Sequence, residues 1–181
     1  MKKIALIISE GFEELEAITV IDLLRRANIE VEILGLNNIQ LTGSRGVTIV
    51  CDEVYDYYTS LEYDGVVLVG GMSNSISLSQ DDSVLKLLRE YMDRGKLVAG
   101  ICATPALVFS KAGILNGKTA TCYPDVALSS NMMGTFVDEE CVVCENLITS
   151  QSPDTAMEFA LTIINYLGYD AGAVYSGLQG K

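Results

Sequence analysis

Apolar residues occur along this chain in two patterns, continuous short runs and helical spacings. Continuous runs at 3–8, 65–69 and 97–101 are typical of strands that are covered on both faces. Further strands are predicted over 30–36 and 119–123, a hairpin over 41–50 with Gly43 and Gly46 at its turn, and a strand pair formed by 141–144 and 147–150.

Helices are predicted between these strands. Apolar residues three and four positions apart indicate an amphipathic helix over 13–27, and a similar pattern over 84–92 ends at Gly95. The nearly all-apolar segment 103–112 predicts a buried helix, and the last predicted helix begins at Ser152, with Pro153 in its first turn. This alternation favours an α/β fold with a mostly parallel sheet and helices on both faces. Without a linker or repeat, residues 1–181 are expected to form one domain.

The sequence places three loops at the carboxyl ends of predicted strands, where open α/β sheets bind their ligands. They are 10–16, Gly70-Gly71 and Cys102-Ala103. The first loop is rich in carboxylates, and the chain has neither a G-x-G-x-x-G nor a G-x-x-x-x-G-K-[ST] pattern. A nucleotide or flavin site is therefore not expected, and no cofactor is predicted.

Charge and composition exclude several classes of binding partner. The 24 acidic and 12 basic side chains give a net charge of -12, which repels nucleic acid and anionic membrane surfaces. No apolar run approaches the roughly 20 residues that span a bilayer, and Ser9-Glu10 ends the first apolar stretch too early for a signal peptide. Five cysteines without an export signal indicate reduced thiols and a cytoplasmic location.

The chain contains no histidine. Ser-His-Asp and Cys-His pairs and histidine metal ligands are therefore excluded. Any proton transfer near neutral pH must use a carboxyl, thiol, tyrosine or lysine whose pKa the fold has shifted.

Cys102 is the main candidate for chemistry, because it follows a buried strand and precedes a predicted helix. A residue at such a turn is held in strained geometry and projects its side chain from the sheet. The first amides of the helix would favour a thiolate and lower the pKa of Cys102. The alternative is that Cys102 is a small apolar residue of the core, as most free cysteines are.

Glu16 and the glycines are the proposed partners of Cys102. A Glu16 carboxyl turned toward the sheet would be desolvated and would face a thiolate, and both effects raise its pKa. It would then stay protonated at neutral pH and donate a hydrogen bond to sulfur. A solvated first-turn glutamate is the alternative, and that description fits Glu13 and Glu14 better. The amides at Gly70-Gly71 and Ala103 are candidates for an oxyanion hole.

Cys141-x-x-Cys144 suggests metal or redox chemistry, but residues three apart on a strand point to opposite faces. With no second pair and no histidine, no metal site is predicted.

The ordered motifs resemble the DJ-one/ThiJ/PfpI superfamily, in particular its parkinsonism-associated deglycase-like branch, over nearly the whole chain. The motifs are Glu13-Glu14-Leu15-Glu16, Asp22 with Arg25-Arg26-Ala27, Ser44-Arg45, Gly70-Gly71, Ile101-Cys102-Ala103 and Thr149-Ser150-Gln151-Ser152-Pro153. The resemblance implies a flavodoxin-like fold, a homodimer with Arg45 near its interface, and a reactive Cys102 paired with protonated Glu16.

The chain departs from that family near the thiol. Many relatives have a histidine where this chain has Tyr123, and a proline where it has Val69 before Gly70-Gly71. A protease is therefore not expected.

Three functions stay open at this point. The first is cofactor-independent action of Cys102 and Glu16 on reactive dicarbonyls, as a glyoxalase or deglycase. The second is a redox-sensing or protective, chaperone-like dimer in which peroxide oxidises Cys102 to a sulfinate under oxidative stress. The third is a plain binding domain. The sequence does not name the physiological substrate.

Overall fold

A seven-stranded sheet forms the centre of the structure, a computed structural model that describes residues 1–130 and 132–180. The strands of the described chain are β1 (Lys3–Ile8), β2 (Glu30–Gly35), β3 (Gln40–Thr42), β4 (Thr48–Val50), β5 (Glu53–Val54), β6 (Gly65–Leu68), β7 (Leu97–Ile101), β8 (Thr119–Ala120), β9 (Thr135–Phe136), β10 (Cys141–Cys144) and β11 (Leu147–Ser150). The helices are α1 (Glu14–Arg26), α2 (Tyr57–Ser60), α3 (Met72–Gln80), α4 (Asp82–Asp93), α5 (Ser110–Ala112), α6 (Pro124–Ser130), α7 (Ala156–Tyr166) and α8 (Ala171–Leu178).

The order of the large sheet is β10-β11-β7-β6-β1-β2-β5. All neighbouring pairs are parallel except β10 with β11. The mostly parallel sheet is as predicted. The hairpin β3–β4 and the short pair β8–β9 lie outside it.

Side chains of β1 alternate between two cores, one on each face of the sheet. Ile4, Leu6 and Ile8 pack with α1 and α7. Ala5 and Ile7 pack with α4 and the segment before α5 on the opposite face. Burial on both faces explains why this strand is an unbroken apolar run.

Side-chain hydrogen bonds cap the N-terminal ends of two helical segments. The Glu13 carboxylate accepts the Glu16 amide at 2.9 Å and so caps α1. Ser152 and Thr155 form a capping box around a short 3₁₀ turn, Pro153–Thr155, that leads into α7. The predicted start at Ser152 is confirmed, but α8 follows, so α7 is not the last helix.

Two predicted elements differ from the structure. Residues 103–112 contain a π-helical turn, Pro105–Phe109, before α5, and the Ser110 amide donates to the carbonyl of Pro105. The strand predicted over 119–123 ends at Ala120. It ends there because the Thr121 amide donates to the Thr149 hydroxyl, and the Tyr123 amide to the carbonyl of Cys102.

No helix in residues 1–130 and 132–180 is both long and apolar enough to cross a membrane.

Candidate functional site

The three loops chosen from the sequence meet at one edge of the sheet. They follow β1, β6 and β7, which are neighbours in the sheet with β6 in the middle. The Gly70 amide donates to Glu16 Oε2 at 2.6 Å, and the Glu13 amide donates to the Gly70 carbonyl at 3.1 Å. The loop after β6 is therefore hydrogen-bonded to Glu13 and to Glu16 at the start of α1.

Cys102 occupies a left-handed backbone conformation, with φ of 64°. Side chains other than glycine adopt this conformation rarely, and it persists only where surrounding contacts impose it. Two backbone hydrogen bonds hold Cys102 in this conformation. The Cys102 amide donates to the Ser150 carbonyl at 3.0 Å, and the Tyr123 amide donates to the Cys102 carbonyl at 2.9 Å. The strained turn predicted from the sequence is confirmed.

Gly70 allows the acid and the thiol to approach each other. A Cβ atom at this position would lie 2.5 Å from Cys102 Cβ, 2.8 Å from Glu16 Oε2 and 3.0 Å from Cys102 Sγ. Contacts under 3 Å are not tolerated without displacement. Any residue larger than glycine at position 70 would therefore displace the side chains of Cys102 and Glu16.

Glu16 is completely buried, with no exposed surface. Burial raises its pKa to about 8, the Glu13 carboxylate acts in the same direction, and the Gly70 amide lowers it. Glu16 Oε1 has no hydrogen-bond partner among the described residues. A buried carboxyl oxygen without a donor is tolerated best when it carries the proton, so Glu16 is a neutral acid near pH 7.

The thiol of Cys102 is partly buried. Burial and the Glu16 carboxylate raise the pKa of Cys102 to about 12, whereas the amides of Gly71 and Ala103 lower it. The upward direction is opposite to the one predicted, because the sequence indicates the helix amides but not the desolvation of sulfur. The repulsion from Glu16 disappears when that carboxyl is protonated.

Cys102 and Glu16 therefore form a pair that holds one negative charge after losing its first proton. In a strongly coupled pair, the remaining proton is shared between the two sites. A proton that moves from sulfur to the carboxyl creates a thiolate without placing two charges in the pocket.

The amides that face this charge are those of Gly71 and Ala103, both of which lower the pKa of Cys102. Gly70 was included in the predicted oxyanion hole, but its amide already donates to Glu16. Its role is to hold the acid in place. Gly71 has φ of 90°, and a Cβ there would lie 2.2 Å from the Gly11 carbonyl oxygen.

Two buried polar residues that sequence reasoning missed support the loop after β6. Asn74 Nδ2 donates to the carbonyls of Val69 (2.8 Å) and Gly70 (3.0 Å), and its Oδ1 accepts the Ser9 amide at 2.6 Å. The Thr104 hydroxyl donates to the Val69 carbonyl at 2.8 Å. Both residues lie in segments whose sequence is typical of polar turns or of the first turn of a helix. The local sequence therefore does not indicate that their side chains are buried.

Glu14 is buried, contrary to the prediction of a solvated glutamate. Its carboxylate accepts the amides of Arg45 at 2.6 Å and Val47 at 3.2 Å, and the Ser44 hydroxyl at 3.2 Å. These hydrogen bonds lower the pKa of Glu14 although desolvation opposes them. The side chain of Arg45 is exposed, and its backbone joins the β3–β4 turn to the start of α1.

Tyr123 contacts the thiol segment through its backbone amide, and its side chain is exposed. Cys141 and Cys144 lie on β10 as predicted. Within the described part of the chain, no cluster of three or more cysteine, aspartate or glutamate side chains is arranged to hold a metal ion.

The family model described as "DJ-1/PfpI family" matches residues 2–166. The chain belongs to the DJ-1/PfpI family. The resemblance drawn from its motifs is therefore confirmed.

Relatives of this family differ in length. Drosophila melanogaster Protein dj-1beta is 41% identical over 170 residues, which cover 92% of this chain and 90% of that protein. Arabidopsis thaliana Protein DJ-1 homologs B and A are 36% and 38% identical over 91% and 87% of this chain. The chain spans only 38% and 40% of the length of these two plant relatives.

Solved DJ-1 structures share the fold. A crystal structure of Drosophila melanogaster DJ-1beta gives a TM-score of 0.93 at 38% identity and covers 98% of this chain and 97% of that one. Toxoplasma gondii DJ-1, described as oxidized, gives 0.90 at 30% identity over 99% and 98% of the two chains. The flavodoxin-like fold expected from the resemblance is confirmed.

Proposed function

We propose that this protein acts on small reactive dicarbonyls, as a cofactor-independent glyoxalase or glycation-repairing deglycase. The observation that carries this proposal is the pairing of Cys102, in its left-handed turn, with the buried Glu16 carboxyl, whose Oε1 has no hydrogen-bond partner among the described residues. This arrangement supplies a nucleophile and a proton carrier side by side. Membership of the DJ-1/PfpI family is compatible with such a role.

In the proposed reaction, Cys102 Sγ forms a bond to the aldehyde carbon, and the carbonyl oxygen becomes an oxyanion. The Gly71 and Ala103 amides stabilise that oxyanion until it takes the proton of Glu16, which gives a hemithioacetal. The Glu16 carboxylate then removes the proton from the carbon bonded to sulfur and delivers it to the neighbouring carbonyl carbon, while the hydroxyl proton passes to the oxygen on that carbon. The product is a thioester. Water adds to the thioester and releases a 2-hydroxy acid and the free thiol.

Glu16 has a pKa suited to this task. A group with a pKa near the working pH both accepts and returns a proton readily, and burial places the pKa of Glu16 at about 8. Because the chain has no histidine, a Cys-His route is closed and proton transfer depends on this carboxyl. A protease activity is not part of the proposal.

Conversion of methylglyoxal to lactate tests the proposal. Cys102→Ser and Glu16→Gln should each lower kcat/KM by at least about 100-fold, the usual size of a general acid-base contribution. Two matched controls should keep wild-type rates. They are Cys144→Ser, on β10, and Glu62→Gln, at an exposed position. Wild-type rates in Cys102→Ser would refute the mechanism.

A redox role is the second candidate, because the matching Toxoplasma gondii structure is described as oxidized. In this chain, a sulfinate on Cys102 would face the Gly71 and Ala103 amides and accept a hydrogen bond from the protonated Glu16 carboxyl. Intact-mass analysis after treatment with excess peroxide should show a two-oxygen adduct confined to Cys102. Oxidation spread over several cysteines would exclude a dedicated sensor.

A further inference from the structure

A second cysteine packs in the same small apolar cluster as Cys102. The cluster consists of buried Ala103, Ala106, Cys122 and Val126, with Cys102, Leu107, Ala127 and Met132 packed against it. Cys122 is completely buried, whereas Cys102 is partly exposed. Neither the dicarbonyl reaction nor the sulfinate uses Cys122.

The backbone holds the two cysteine segments together. The Tyr123 amide donates to the Cys102 carbonyl at 2.9 Å, and Cys122 is the residue before Tyr123. This hydrogen bond brings the two backbones side by side, and both cysteines pack in the same cluster. A disulfide requires Cα atoms about 4.4 to 6.8 Å apart, which neighbouring hydrogen-bonded segments can reach.

The surroundings of Cys122 keep it from reacting first. Its Sγ lies 3.5 Å from the Tyr123 carbonyl oxygen and 3.5 Å from Met132 Sδ. Cys122 has no exposed surface, whereas Cys102 is partly exposed. A hydroperoxide in solvent therefore meets Cys102 before it meets Cys122.

We propose that Cys122 is the resolving thiol for oxidised Cys102. In the first step, the Cys102 thiolate attacks a hydroperoxide, the O–O bond breaks, and Cys102 becomes a sulfenic acid while an alcohol or water leaves. In the second step, Cys122 sulfur attacks Cys102 sulfur. An S–S bond forms, the S–O bond breaks, and the thiol proton leaves with the hydroxyl as water.

The disulfide protects Cys102 from irreversible oxidation. A sulfenic acid that meets a second peroxide becomes a sulfinate, which thiols do not reduce. A disulfide to Cys122 removes the sulfenic acid, and a dithiol reductant restores both thiols. The outcome depends on whether Cys122 or a second peroxide reaches the sulfenic acid first, so low peroxide favours the disulfide.

Peptide mapping of the wild-type protein tests the proposal directly. The protein is treated with hydrogen peroxide below one equivalent, blocked with iodoacetamide and digested without reduction. Trypsin releases Cys102 in 97–111 but leaves Cys122, Cys141 and Cys144 together in 119–181, so cleavage after Glu139, Glu140 and Glu145 is needed as well. We expect a peptide pair linked through Cys102 and Cys122 that dithiothreitol separates.

Cys141 is the alternative disulfide partner for oxidised Cys102. It pairs with Ser150 on β11, and Ser150 pairs with Ile101 at the end of β7, so it lies two strands away from the thiol turn. A link from Cys102 to Cys141, or a sulfinate on Cys102 with no linked peptide, would overturn the assignment.

Substitution of Cys122 gives a second readout. In Cys122→Ala and Cys122→Ser, the fraction of Cys102 found as sulfinate should rise several-fold at equal peroxide. Cys51→Ser, which removes another buried thiol, should leave that fraction unchanged. An unchanged sulfinate fraction in folded Cys122→Ala would also contradict the proposal. Dicarbonyl turnover by the reduced variants reports on the proposed enzyme activity separately.

Discussion

At the scale of single residues, the site depends on one carboxyl that the fold keeps away from water. Glu16 has no exposed surface, and one of its oxygens lacks a donor among the described residues. An ionised carboxylate in this position loses its hydration, and the Gly70 amide and the Cys102 thiol compensate for only part of that loss. The neutral acid is therefore the stable form near pH 7.

Stability should depend on pH through Glu16. Its pKa is about 8 in the folded protein and near the ordinary value of 4.5 in the unfolded chain. Between these values the folded protein keeps a proton that the unfolded chain has released, so the free energy of unfolding falls as pH rises, by up to about 1.4 kcal/mol per unit. Denaturant unfolding at a series of pH values should show this fall in wild type and a flatter profile in Glu16→Gln.

The exposed residue Glu62 provides the control for that series. Glu62→Gln should keep the wild-type slope. Parallel wild-type and Glu16→Gln profiles between pH 5 and 8 would mean that Glu16 is ionised in the folded protein.

The sequence indicated the residues of the candidate site, but not the buried polar residues that hold its loops in place. Cys102 was proposed because it directly follows an apolar strand, and Glu16 because it lies early in a predicted helix between apolar Leu15 and Ala17. Parallel strands bring their carboxyl ends together, which explains why the two residues lie near each other. Asn74 and Glu14 were missed, because the burial of a polar side chain depends on partners far away in the chain. The upward shift of the Cys102 pKa was missed for the same reason, since it comes from desolvation.

At the scale of elements, the turn after β7 is set by how the following segment packs on the strand. A Cβ at Gly100 would lie 2.5 Å from Phe109 Cζ and 3.1 Å from Thr104 Cγ2. The ring of Phe109 therefore sits directly on the strand that ends at the reactive thiol. The π-helical turn Pro105–Phe109 places the ring there.

Gly100→Ala should therefore destabilise the protein. Overpacking of this kind lowers the free energy of unfolding by about 1–3 kcal/mol, which chemical denaturation measures. Gly177→Ala in α8 is the matched control, because a Cβ there meets nothing within 4 Å. It should leave stability unchanged or raise it slightly. Equal stabilities of the two variants would contradict the packing of Phe109 on Gly100.

Buried parallel strands were the elements most fully predicted. The bounds of β1 and β7 agree with the predicted runs, because burial on both faces leaves no polar position in them apart from Lys3 at the start of β1. α3 was missed, because its sequence, Met-Ser-Asn-Ser-Ile-Ser-Leu-Ser-Gln, is rich in serine and has a weak apolar face. α8 was missed because most of it is exposed.

At the scale of the whole molecule, apolar side chains are exposed on α1 and on the neighbouring hairpin. Leu15 and Ile18 are 55% and 47% exposed, and Val47 and Val50 are 50% and 68% exposed. Glu14 holds the turn between β3 and β4 against the start of α1, so the two apolar sets are adjacent. We propose that this surface forms the homodimer interface expected from the family.

Sedimentation velocity tests that interface. The wild-type protein should sediment as a dimer, and the double variant Ile18→Lys with Val50→Lys should sediment as a monomer, because two buried charges per subunit are unfavourable. Tyr58→Lys, at a tyrosine that is 75% exposed, is the control and should stay dimeric. A monomeric wild type would contradict the proposed interface.

The most direct test of the account is the pH dependence of Cys102 alkylation by iodoacetamide, followed on the peptide 97–111 in wild type and in Glu16→Gln. The wild-type rate should rise with a first midpoint near pH 8, where the pair loses one proton that sulfur and the Glu16 carboxyl share. Glu16→Gln should lose this first rise, so that its rate at pH 8 is several-fold lower. Coincident profiles for the two proteins would show that the thiol ionises independently of Glu16, and would contradict the proposed pair.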